Sequence, residues 1–236
     1  MSEIFLKLRI KEMLEGKMKR YIIFGIVEVF LVVTGILIAL SINNWDIKKS
    51  KRTDELKIYE NISNRIIEDK KELQGVIDYN KRLYMKYQFA NQIISENDRS
   101  KLDTLIRIAP ELLDYSDFNR SSNVYQNLIN SGELKLLSNT TIITLLQDLE
   151  EAYIYLNRME SIHQQFILDY IGPLILNNIH LSTSIAEKPD ELYTFQFQNL
   201  FFASIDLMEE KDEIYKRAQG EIDAISLLIE DELEQQ

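Results

Sequence analysis

Between Tyr21 and Ile42 the chain carries one charged residue, Glu28, in a run otherwise dominated by Ile, Val, Leu and Phe. Apolar side chains fall on every side of a helix there. At 1.5 Å per residue the 22 residues reach roughly 33 Å, enough to cross a hydrocarbon core of about 30 Å. The pattern predicts a transmembrane helix over 21–43. The apolar region of a cleaved signal is shorter, about 7–15 residues, and ends in a small-residue site. Ile36 to Trp45 contains no Ala-x-Ala ending, so the run reads as a retained anchor.

Past the span the pattern changes to a narrow helical stripe. Tyr59, Ile62, Ile66, Leu73, Val76, Leu83, Tyr87, Ala90 and Ile94 follow spacings of three and four, interrupted by Asp69 and Asn80. Such a stripe suits a helix in a bundle or coiled coil. A second helix is predicted near Lys101 to Leu113, bent or ended at Pro110. The polar stretch 114–123 reads as a loop. A short helix from Asn123 to Asn130 should stop at Gly132, whose lack of Cβ admits a left-handed cap. A long helix follows from Asn139 to Tyr170, ended or kinked by Pro173, and 177–189 reads as irregular. The final helix covers Glu191 to Glu234, with Gly220 as a weak point. No repeat of 20–50 residues is present. The predicted fold is all-α: one N-terminal transmembrane helix, then an antiparallel helical bundle.

The scarcity of Gly (7) and Pro (3) agrees with long helices. Cysteine is absent, which excludes disulfides, thiolate catalysis and Cys-based zinc sites. Charge refines the organisation. Residues 1–20 carry six basic and three acidic side chains and read as a cationic amphipathic segment able to lie in the membrane interface. Tyr21 and Trp45 flank the span as interfacial anchors. Residues 44–236 form an acidic domain, and from 53 onward 33 acidic residues face 17 basic ones. The lipid bilayer is thus the first expected partner. Nucleic acid is not expected, because its binding rests on Lys and Arg meeting phosphates. Basic residues near the span number six before it and five after it, a margin too small to orient the chain. The short tail and the acidic distal domain favour a cytoplasmic N-terminus and a periplasmic bundle.

The anchor carries a family pattern. Gly25-Ile-Val-Glu28, Leu31-Val-Val-Thr-Gly-Ile-Leu-Ile-Ala-Leu40 and Ile42-Asn-Asn-Trp45 resemble a family of single-span bacterial membrane proteins whose domain has no known function. That family's usual run is Leu-Val-Val-Ile-Gly-Ile-Leu-Ile-Ala-Leu-Gln-Ile-Asn-Asn-Trp-Asn, from which Thr34, Ser41 and Asp46 depart. Asn123 to Asn139 also looks like the family's middle. The resemblance implies a single-pass protein of the bacterial inner membrane with a helical domain, and it carries over no catalytic residues.

Among residues able to do chemistry, Glu28 stands out, about one turn from the centre of the span. A carboxylate there costs about 2.5–3.5 kcal/mol on insertion scales, so it is expected to be protonated or paired. Gly25 and Gly35 permit close helix approach and Thr34 offers an interhelical donor. Together these residues predict contact with a second copy or with another membrane protein. Glu160 and His163 have the Glu-x-x-His spacing of di-iron bundles, but the second copy of that motif is missing, so His163 reads as a surface or core-edge histidine. The pairs Glu150/Glu151 and Glu209/Glu210 read as solvated faces. The aromatic clusters Tyr153, Tyr155, Phe195, Phe197, Phe201 and Phe202 read as core. No catalytic, cofactor or metal site is expected. The leading functional expectation is a non-enzymatic, membrane-anchored module acting through protein–protein interaction. The alternative is an envelope sensor that binds a small molecule between bundle helices and signals through a partner.

Overall fold

The computed structural model describes residues 2–120 and 123–234. The side chains of 2–6, 8–21 and 24 lie outside the described set. The expected amphipathic face of 1–20 and the Tyr21 anchor rest on those side chains and are not described further. The chain divides into two compact units, Met1–Asp54 and Glu55–Gln236.

Helix α1 runs from Ser2 to Ser95, with contributions to both units. No proline occurs before Pro110, so nothing in this stretch removes an i→i−4 hydrogen bond. It ends on a Schellman-type turn. Asn97 takes a positive φ of 50°. Its N–H donates to Ile94 O at 3.0 Å, and Asp98 N–H donates to Ile93 O at 3.0 Å. In the first unit, α1 contains a segment long and apolar enough to cross a membrane, and none of that window is buried by protein.

Among the described residues the second unit is built from the rest of α1 and from five further helices: α2 (Leu102–Ile108), α3 (Val124–Ser131), α4 (Thr140–Phe166), α5 (Gly172–Asn178) and α6 (Phe195–Glu234). Two-residue strands β1 (Ile179–His180) and β2 (Ile185–Ala186) pair antiparallel in the segment expected to be irregular. Pro110 bends the second helix into a 3-10 turn over Ala109–Leu113. Gly132 caps α3 with φ 76°. Asn139 caps α4, its Oδ1 accepting from Thr141 N at 3.1 Å and Ile142 N at 3.3 Å. Pro173 does not stop the chain's helical course. A π-turn over Ile167–Ile171 absorbs the missing N–H, and α5 resumes with Pro173 in its first turn.

Cross-helix contacts set the directions. Glu55 and Asp69 of α1 meet Ser138 and Tyr153 in and before α4, so α1 and α4 run the same way. Lys70 and Asn80 meet Asp223 and Met208, so α6 runs against α1. Asn139 meets Glu232, so α6 also runs against α4. The antiparallel bundle is therefore α6 against a parallel pair, and the chain between α1 and α4 makes a crossover.

The core forms two apolar clusters. One gathers Tyr59 to Leu73 of α1, residues of α4 such as Ile142 and Leu156, and Ile214 to Ile229 of α6. The other gathers Leu83 to Leu112 with Ile167 to Met208. Asn80, Glu160, His163 and Lys211 fall in the sequence gaps between the two clusters on α1, α4 and α6, and all four are buried.

Candidate functional site

The predicted membrane residues lie along one helix. At 3.6 residues per turn Glu28 and Gly35 are about 20° apart on one stripe, with Gly25 about 60° from Glu28. Thr34 lies about 100° round from Gly35, so it does not share that stripe. A Cβ at Gly25 or Gly35 would meet nothing within 4 Å. Trp45 is exposed, and Lys49 Nζ sits 5.3 Å from its ring centroid.

The chemistry that the sequence did not reveal is a buried polar layer in the second unit. It is assembled by the crossover segment 114–120, which inserts between α1, α4 and α6. Ser116 and Phe118 are buried. Asn80 Nδ2 of α1 donates to Met208 O at 3.0 Å, and its Oδ1 accepts from Ser116 Oγ at 3.0 Å. Lys211 of α6, 0% exposed, donates to Ser116 O at 3.0 Å. Tyr215 OH is within 3.1 Å of Ser116 Oγ and 3.2 Å of Glu160 Oε1. Glu160 also accepts from Phe118 N at 2.8 Å. Three helices thus spend buried side chains on the backbone and hydroxyl of one loop.

Burial governs the electrostatics. Desolvation pushes Glu160 up from 4.5 to about 7, against the stabilising Phe118 N–H and nearby Lys211. Desolvation pulls Lys211 down from 10.5 to about 8, opposed by Glu160 and Asp117. His163 falls to about 3 through burial and the neighbouring Lys211. It is therefore a neutral ring at ordinary pH. Neither ring nitrogen has a polar protein partner, and the ring packs 5.7 Å from that of Tyr115. Tyr115 in turn lies 5.6 Å from Lys211 Nζ.

Several expectations are corrected here. His163 is fully buried rather than at a surface or core edge. Glu150 is buried and pairs with Arg120 at 2.7 Å, so only Glu151 of that pair is solvated. Phe197, Phe201 and Tyr153 are core, but Phe195, Phe202 and Tyr155 are exposed. The interruptions Asp69 and Asn80 are buried polar positions of the seam, with Tyr153 OH donating to Asp69 at 3.2 Å. The polar break in an otherwise apolar stripe was the signal available in the sequence. Among the described residues no group of three His, Cys, Asp or Glu side chains is arranged to hold a metal ion.

The layer can orient and lock a loop. These features define an all-α protein with a long apolar N-terminal helix and a helical unit pinned by a buried polar layer. The chain belongs to the family of unknown function DUF6090, whose profile matches residues 28–165. The match takes in Glu28, Asn80, Ser116 and Glu160 and stops before α6, which supplies Lys211 and Tyr215. No curated protein and no solved structure matches the chain.

Proposed function

We propose that the protein is a single-pass, membrane-anchored helical module of the bacterial inner membrane that acts through protein–protein interaction, with its helical unit in the periplasm. The observation that carries the anchor is the apolar window of α1, none of which is buried by protein. Large residues such as Phe30, Leu31 and Leu37 are each more than half exposed. In water, an exposed apolar surface of that extent is unfavourable at about 25 cal/mol per Å², whereas lipid covers it. The acidic helical unit, repelled by anionic headgroups, supports the assignment of the interacting surface to protein rather than lipid.

Orientation is testable because the chain has no cysteine of its own. Ser138 is exposed, so Ser138→Cys gives a single reporter in the helical unit. A membrane-impermeant maleimide should label it in cells with a permeabilised outer membrane. Labelling only after lysis would move the unit to the cytoplasm and overturn the periplasmic assignment.

The anchor's own contact is assigned to the Glu28–Gly35 stripe. Polar side chains between membrane helices contribute about 0.6 kcal/mol on average and up to about 1.7. Glu28→Leu should reduce a cross-linked oligomer, or the yield of a co-purified membrane partner, several-fold. An unchanged oligomer and unchanged partners would sink the stripe as a contact.

A further inference from the structure

The seam between α1 and α6 carries two open hollows. One, of about 610 Å³, is bounded by Ile77, Met85 and Met208. The other, of about 440 Å³, is bounded by Asn91, Phe202 and Ile205. Glu209 borders both. It accepts a 2.6 Å hydrogen bond from Tyr84 OH, whose oxygen accepts from Gln88 at 2.6 Å, so a polar bridge divides the hollows. Met85 and Phe202 are 53% and 62% exposed, one in each hollow.

We propose that this seam receives a basic amphipathic helix of another protein, which rests on the interaction reading above and names its partner chemistry. Three arguments select that occupant. The first is spacing. The hollows centre near residues 80 and 91 of α1 and near 212 and 206 of α6, so at 1.5 Å per residue they lie roughly 9–17 Å apart. Side chains at i and i+7 or at i and i+11 on a helix span that range within about 20° of one face, and i+11 matches the α1 side. The second is charge. Asp78, Asp206, Glu209, Asp212 and Glu213 line the hollows against Lys81 and Lys216, and Lys216 is held by Asp212 at 2.5 Å. The rim is net acidic by three. It repels an anionic lipid surface, and it repels the same face of a second copy. The third is the helix pair itself. On α6 the seam is centred on Glu209 and Phe202, which lie about a third of a turn or more from Lys211 and Tyr215, while Met208 at its edge adjoins the buried layer. A helix laid over Glu209 and Phe202 adds to the bundle outside Lys211 and Tyr215, and it covers the outer side of Asn80 and Met208.

The test uses the full chain in phosphatidylcholine nanodiscs, with empty nanodiscs as the reference. The probe is a fluorescent 20-residue Lys/Ala/Gln helical peptide with Phe at positions 5 and 16. A control peptide of the same composition carries Phe at 5 and 14, on opposite faces. The first should bind about tenfold more tightly than the control. Met85→Ser or Phe202→Ser should each remove that advantage, while Leu227→Ser, exposed elsewhere on α6, should leave it. Asp78→Asn with Asp206→Asn should weaken binding and flatten its salt dependence. Equal binding of both peptides, or serine variants that bind like the wild type, would overturn the proposal. So would an oligomer that Phe202→Ser alone dissociates, since a second copy would then occupy the seam. If the peptides fail while Glu28→Leu still disrupts an assembly, the seam is wrong and the interaction reading stands. If neither has an effect, both fall.

Discussion

Glu160→Ala should lower the stability of the helical unit by about 3–5 kcal/mol, the usual cost of removing one partner from a buried charged network. Three groups lose an acceptor or counter-charge at once. Phe118 N–H and Tyr215 OH lose Oε1 as a partner, and Lys211 keeps its position without the nearby carboxylate. For a domain of this size the midpoint should fall by about 10–15 °C, read by circular dichroism on the intact chain. A fall of less than about 2 °C would show that the layer is not a structural lock.

Glu160→Gln separates charge from geometry, because an amide oxygen can still accept from Phe118 and Tyr215. The folded state raises Glu160 from 4.5 to about 7, so over that interval the folded chain binds more protons than the unfolded one. Wild-type stability contributed by this group is present below about pH 4.5 and falls as pH rises towards 7, by up to about 1.4 kcal/mol per unit. The Gln variant lacks this loss. It should gain on the wild type across pH 4.5–7 and hold a constant difference just above it. Lys211 acts in the opposite sense, since its lowered value makes wild-type stability rise between about pH 8 and 10.5. Parallel pH profiles of the two proteins would remove Glu160 as the titrating group.

Val32→Arg combined with Ile36→Arg should expel the anchor from the bilayer. Each arginine near the centre of a span costs about 2.5–3.5 kcal/mol on insertion scales, so the pair costs about 5–7. The wild type should stay in the membrane pellet after alkaline carbonate extraction, and the double variant should move largely to the supernatant. The helical unit is compact from Glu55 onward and contains neither position, so its thermal transition should be unchanged. If both proteins pellet alike with the same transition, the proposed bilayer anchor is wrong.

The helical fold was legible wherever one residue type dictates backbone conformation or one period dictates a face. Gly132 is the left-handed cap expected of it, and Pro110 produces the expected bend. Pro173 was half legible. A proline announces a missing N–H, but a chain can end there or widen one turn. Here the chain widens at 167–171, and the 3.3 Å approach of Ile167 O to a Cβ built at Gly172 marks how closely the backbone folds there. The exposure of Phe195 and Phe202 was not legible, because aromatic content signals burial only on average.

The sequence by itself determined the apolar span, the absence of cysteine chemistry and the succession of helices, because composition, proline placement and a 3.6-residue period are local properties. Only the tertiary structure decided that Asn80, Glu160 and Lys211 form one buried layer. A polar residue in an apolar stripe reads the same whether water or a distant partner satisfies it. The partners here are 36 residues away for Asn80 and Ser116, and 95 for Ser116 and Lys211. Desolvation, which sets the charge state of Glu160 and Lys211, depends on how those distant segments close around them.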